Sequence, residues 1–136
     1  MISRTAIHAA QALTVLARLQ PGEFAGAAGI AREIGAPQNY LGKLLKTLAE
    51  EGILESQKGF GGGFRLARDA KKISLYDVVE PLENVSRWSD CLLRGGACRP
   101  GQPCAVHGRW KKVREGYLQF LRQTTIADLA EGRISS

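Results

Sequence analysis

The sequence predicts a mainly α fold with one small two-stranded sheet. Three observations carry this. Apolar residues recur at steps of three and four near both ends of the chain, two short helical patterns meet at a glycine, and a glycine-rich tip joins two strand-like runs. At 136 residues the chain has the size of one domain. Hydrophobic residues make up 44%, enough for a packed core and too many for a disordered chain. Nineteen Lys and Arg against 13 Asp and Glu leave a formal charge of +6. No apolar run approaches the roughly 18–20 residues that span a bilayer. Arg4, Thr5, His8 and Gln11 interrupt the first apolar residues, so no signal-peptide core is read there. The expectation is a cytoplasmic protein with no membrane role. Its basic balance favours a polyanion, most often nucleic acid.

The elements follow in order. Ile2, Ala6, Ala9, Leu13, Leu16 and Ala17 predict a first helix, ended by Pro21-Gly22. A second is expected over about 26–34, with Ile30, Ala31 and Ile34 on one face. Gly35 stops it, since glycine takes a left-handed backbone without a Cβ penalty. Pro37 suits the first turn of a third helix over 37–51, which carries Leu41, Leu44, Leu45 and Leu48 and stops at Gly52. Two such helices around a glycine-containing turn form a helix-turn-helix. Residues 53–57 and 64–67 read as strands, with the glycines between them as a hairpin tip. The fold class is therefore a winged helix-turn-helix.

Beyond the wing, a short helix is expected over 77–82. From 83 to 103 the periodicity vanishes. A structureless stretch of that length needs something to organise it, and a bound metal centre would do so. Helical spacing returns at Cys104. Val106, Trp110, Val113, Tyr117 and Phe120 follow a 4-3-4-3 pattern, with Arg109, Lys111, Lys112, Arg114 and Glu115 opposite. That stripe is too apolar for a free surface helix and reads as a long C-terminal dimerisation helix. A last short helix covers about 126–129. The chain divides into a DNA-binding unit over 1–69, a connecting helix and cysteine loop over 70–103, and a dimerisation helix with its tail over 104–136.

Two regions carry candidate chemistry toward DNA. The third helix sets Gln38, Asn39, Lys43 and Lys46 away from its leucine face. Asn and Gln can contact adenine edges in pairs of hydrogen bonds, and Lys reaches phosphate or guanine. On an isolated helix these would be an ordinary solvated face; the preceding helix, the turn glycine and the hairpin favour a recognition helix instead. In the wing, Lys58, Arg65 and Arg68 are basic, while Gly59, Gly61 and their neighbours allow close backbone approach to a phosphate or a minor groove. A nucleotide-binding loop is excluded because the third fingerprint glycine and any Gly-Lys-Ser/Thr are missing. No catalytic triad or paired-carboxylate motif stands out, so neither an enzyme nor a small-molecule substrate is expected.

The cysteines form the third region. Cys91, Cys98 and Cys104 are spaced C-x6-C-x5-C, and His107 follows as C-x2-H. An odd number in a cytosolic chain argues against a disulfide scaffold. Thiolates with one imidazole suit iron–sulfur or zinc, and the missing C-x2-C knuckle places zinc second. Cys104 and His107 share one helix face, and Cys104 starts that helix, where the dipole stabilises a thiolate. Imidazole ligation of one iron favours a 2Fe–2S cluster, with 4Fe–4S as the alternative. His8 could reach the same centre from a partner subunit and stays open as the alternative fourth ligand. Trp88 reads as a packing residue.

These motifs resemble the IscR/NsrR/RirA family of bacterial winged-helix regulators that sense through an iron–sulfur cluster. The resemblant stretches are Asn39-Tyr40-Leu41 through Leu48, Gly52-Ile53-Leu54, Gly61-Gly62-Gly63-Phe64-Arg65-Leu66, and the cysteine loop with Cys104-Ala105-Val106-His107-Gly108-Arg109-Trp110. The resemblance implies a homodimer on double-stranded DNA. It implies Cys91, Cys98, Cys104 and His107 as cluster ligands, closest to the IscR branch. It also implies Gln38, Asn39, Tyr40, Lys43 and Lys58 as DNA contacts. The alternative function is a cluster-free or zinc-containing regulator of the same fold that senses thiol oxidation or a small molecule.

Overall fold

The computed structural model describes residues 2–84 and 107–132. Its first helix, α1 (Arg4–Ala17), is capped by Ser3, whose hydroxyl oxygen accepts the Ala6 N–H at 3.1 Å. Ala6, Ala9, Ala12, Leu13 and Leu16 are buried. Three alanines on that face let other elements approach the α1 backbone closely, so the helix serves as the centre of the core. α2 (Ala27–Ile34) ends at Gly35 with φ +74, the left-handed stop that the sequence predicts. α3 (Gln38–Glu50) buries Leu41, Leu44, Leu45 and Leu48. Pro37 stands at the cap rather than inside the first turn, with extended backbone and its carbonyl accepting the Leu41 N–H at 3.0 Å.

The wing is β1 (Leu54–Gln57) and β2 (Gly63–Leu66), antiparallel, with Leu54 opposite Leu66 and Gln57 opposite Gly63. Its second strand is pinned to the turn before α2. The Ala25 and Phe64 backbones exchange two hydrogen bonds of 2.9 and 2.8 Å. Gly63 makes this approach possible: its φ is +139, and a Cβ there would lie 2.4 Å from the Ala25 carbonyl oxygen.

After the wing, a single 3-10 turn (Ala70–Lys72) leads into α4 (Leu75–Glu83). This helix starts two residues earlier than the apolar spacing predicts. The reason is a capping box: Ser74 Oγ accepts the Asp77 N–H at 3.1 Å, and Asp77 Oδ2 accepts the Ser74 N–H at 3.0 Å. α5 (His107–Gln123) packs on α4, and α6 (Ile126–Glu131) packs on α1. α6 runs two residues past its expected end and opens on a second box, Thr125 with Asp128. The two boxes lie side by side. Ser74 and Thr125 form an antiparallel bridge, with Leu75 N–H donating to Thr124 O at 2.8 Å and Ile126 N–H to Ile73 O at 2.9 Å. Ile73, Leu121 and Ile126 beneath it are fully buried in the same core as α1 and α3. Among the described residues no helix is long and apolar enough to cross a membrane.

The box at Thr125 predicts a measurable cost. Thr125→Ala leaves the Asp128 N–H in the first turn of α6 without its partner and should lower stability by about 1 kcal/mol. Urea denaturation should show an earlier midpoint at unchanged slope; an unmoved midpoint would show that the box contributes nothing.

Candidate nucleic-acid interface

The leucine face of α3 fixes what its other face presents. With Leu41, Leu44, Leu45 and Leu48 inward, Gln38, Asn39, Lys43 and Lys46 are all exposed. Gln38 and Asn39 occupy the first turn, the part of a recognition helix that enters a major groove. Lys43 and Lys46 stand one and two turns further on and form no ion pair among the described residues. Tyr40 differs from these. It is half-buried, its hydroxyl lies 3.3 Å from His8 Nδ1, and the two rings meet edge to face at 5.6 Å between centroids. Tyr40 thus joins α3 to α1, and the contact engages His8 through Nδ1.

The wing divides its basic residues into two jobs. Arg65 donates from Nε to Glu55 Oε2 at 2.7 Å across the strand pair, and its guanidinium lies 4.6 Å over the Phe24 ring. It braces the strand pair against Phe24, and its charge is partly balanced there. Lys58, at the far end, is exposed and in no ion pair among the described residues. The tip is a tight turn in which Gly62 N–H donates to Gly59 O at 3.0 Å. Gly59 and Gly61 take φ of +94 and +77, so both need glycine. Phe60 between them is fully exposed, a feature the sequence reading passed over although an aromatic residue inside a glycine run is visible in the sequence.

The apolar stripe of α5 separates into two parts. Val113 and Phe120 are exposed at 48% and 49%. Tyr117 is half-buried against its own core, where burial first and the Glu83 carboxylate second push its phenol up from 10.0. Trp110 is half-buried, and Val106 lies outside the described residues. Phe120 lines an apolar groove with Ile7, Ala10, Val15, Leu75 and Leu129. Ile7, exposed at 41%, extends the candidate dimer surface onto α1, which the sequence reading did not include.

Cys91, Cys98 and Cys104 also lie outside the described residues, as does Trp88. His107 is the first described residue of α5. Among the described residues no three His, Cys, Asp or Glu come together as a metal site.

A polar, solvent-facing helix of a helix-turn-helix beside a basic wing defines a winged-helix DNA-binding regulator. Residues 2–132 match the Rrf2 family, described as an iron-dependent transcriptional regulator, and the chain belongs to that family. A protein of Aquifex aeolicus described as an HTH-type transcriptional regulator is 33% identical over 102 residues, covering 74% of this chain and 71% of that one. The HTH-type transcriptional regulator IscR of Klebsiella pneumoniae is 29% identical over 106 residues. That match covers 78% of this chain and 64% of IscR, so the chain matches less than two thirds of that relative's length. Among solved structures, CymR, the global cysteine regulator of B. subtilis, superposes with a TM-score of 0.82 at 23% identity, covering 97% of each chain. T. potens IscR superposes with a TM-score of 0.78 at 24% identity, covering all of this chain and 93% of the other. Family and relatives are transcription regulators and not enzymes.

The close approach at Gly63 yields a second prediction. Gly63→Ala puts a Cβ against the Ala25 carbonyl and an L residue at an unfavourable φ, at a cost of about 1–3 kcal/mol. The Ala25 and Phe64 amides should lose hydrogen-exchange protection while α4 and α6 keep theirs. Unchanged protection at both amides would contradict the pinned wing.

Proposed function

We propose that the chain is a homodimeric, cytoplasmic regulator that binds double-stranded operator DNA and responds to redox, iron or nitric oxide status through an iron–sulfur cluster. The observation that carries the reading is the donor set. Every cysteine of the chain falls in one short stretch that runs into His107 at the start of α5, within a family described as iron-dependent. Three soft thiolates with an imidazole fit iron–sulfur chemistry. Cys91, Cys98, Cys104 and His107 would hold a 2Fe–2S cluster, which supplies a centre whose charge and integrity follow oxidant, iron or nitric oxide. His107 is preferred to His8 because the C-x2-H spacing sets it beside Cys104 in sequence, whereas His8 lies on α1 and would have to approach from another element or subunit.

On the DNA side, Gln38 and Asn39 read base edges, Lys43 and Lys46 meet phosphate, and Lys58 with Gly59 and Gly61 carries the wing onto the backbone or minor groove. Tyr40 and Arg65 act mainly by holding α3 and the wing in place. Two copies pair through Val113, Phe120 and Ile7 beside Trp110 and Tyr117, which sets two recognition helices against two half-sites. A signal at the start of α5 reaches α3 through packed elements: α5 on α4, α4 on α1, and α1 on α3 through His8 and Tyr40. A coupling of about 1–3 kcal/mol would change affinity about 5–150-fold.

Anaerobically purified protein should be coloured and contain iron with acid-labile sulfide, and replacing any one of the three cysteines by serine should abolish the colour. His107→Ala should disturb the visible spectrum more than His8→Ala. Stoichiometric zinc without sulfide, or DNA binding that responds equally without the cysteines, would replace this reading with the zinc-containing or cluster-free alternative. A 4Fe–4S count would revise the cluster type alone.

Lys58 gives an independent test of the interface. Lys58→Ala should weaken binding to all duplexes alike and reduce the slope of log K against log salt by about 1, because one phosphate contact is lost. An unchanged slope would take Lys58 off the DNA.

A further inference from the structure

Phe60 is the most exposed large apolar side chain among the described residues, at 110%. The other three have a context. Ile7 and Phe120 line one groove, and Val113 shares the exposed stripe of α5 with Phe120. Phe60 has neither core nor groove. It stands at the apex of the wing, on the turn closed by the 3.0 Å bond from Gly62 N–H to Gly59 O. The turn is shaped to hold that ring forward. Gly59 and Gly61 need positive φ, and a Cβ at Gly62 would lie 2.2 Å from the Gln57 carbonyl oxygen. Side chains are thus excluded from both flanks of Phe60, and the backbone beneath it is already ordered.

We infer that Phe60 enters the DNA minor groove at the edge of each half-site, where its ring wedges against a base step while Lys58 holds the adjacent phosphates. This deepens the regulator reading and rests on it. Three features select the ligand. An apolar wedge carried on a slim backbone suits the narrow minor groove, and Phe is among the side chains that partly unstack a base step there. Lys58 sits two residues away with its charge uncompensated among the described residues, which draws the tip to a polyanion. A protein partner would need a contiguous apolar patch, and this ring is surrounded by glycines and a lysine. The expected result of the contact is a local widening or kink at a flexible pyrimidine–purine step.

The test uses the full-length protein and a duplex that the wild type selects from a random pool, with 2-aminopurine placed in turn at the steps flanking each half-site. Phe60→Ala should weaken binding about tenfold, the loss of one buried aromatic contact. Phe60→Trp should retain most of the affinity. The salt slope should match the wild type, because no charge is removed. The thermal midpoint should not move, because the side chain touches nothing in the free protein. The wild type should brighten 2-aminopurine at one flanking step, and F60A should not. Binding by F60A within about twofold of the wild type, or no brightening at any step, would overturn the inference while leaving the regulator reading intact. A wild type that selects no duplex at all would overturn the regulator reading first and this one with it.

Discussion

The antiparallel bridge between Ser74 and Thr125 is the constraint on which the rest of the molecule depends. Two helix starts come from distant parts of the chain, each with orphan N–H groups that must find partners. Each closes its own capping box, which frees the backbone between them to pair: Leu75 with Thr124, and Ile126 with Ile73. Below the bridge Ile73, Ile126 and Leu121 reach zero exposure. Polar backbone is satisfied and apolar surface is removed from water at the same point. That arrangement returns the end of α5 to the DNA-binding unit and seats α6 on α1.

What α1 contributes is proximity. With alanine at positions 6, 9 and 12, α2, α4 and α6 can all reach it, so the helix is shared by the unit expected to touch DNA and by the helices that follow the cysteine stretch. The wing packs on α1 as well, through β2, and is tied further by the Ala25–Phe64 bridge and by Arg65 on Glu55 and Phe24. A displacement carried along α5 and α4 would reach α1, which packs on both α3 and β2. Packed interiors transmit such shifts because they deform little.

Much of this was legible in local pattern. The leucine face of α3, the left-handed stop at Gly35 and the hairpin all follow from spacing and from glycine, because these are decided within a few residues. The early start of α4 was also available: Ser74 and Asp77 spell a capping box, and the apolar spacing alone concealed it. The Ala25–Phe64 bridge had no local signal, since it joins residues nearly forty positions apart through a backbone approach that only Gly63 permits. The same holds for Tyr40 with His8 and for Arg65 with Glu55. A polar residue on an exposed face reads alike whether its partner is another side chain or a ligand. The cysteine set stands on sequence, as its members lie outside the described residues.

Placement of charge matters more than its total. The net +6 is an average over residues doing different work. Arg65 is balanced by Glu55, Arg122 lies 4.8 Å over the Tyr76 ring, and Lys111 faces Glu115 one turn along α5. Arg65 and Arg122 brace one element against another, Lys111 pairs within its own helix, and all three have less field to offer a distant partner. Lys43, Lys46 and Lys58 remain exposed without such partners among the described residues, two on the recognition helix and one at the wing tip. Phosphate contacts from such positions fix register on a duplex without reading it, whereas base edges carry sequence information. Under the proposed function, discrimination would fall to the neutral groups of the first turn of α3, Gln38 and Asn39. Strength of binding, which lysines and salt would set, is on that reading separate from choice of site, which the orientation of the first turn of α3 would set. The His8–Tyr40 contact ties that first turn to α1, so on the same reading a change transmitted through α1 would bear on which sequence is read.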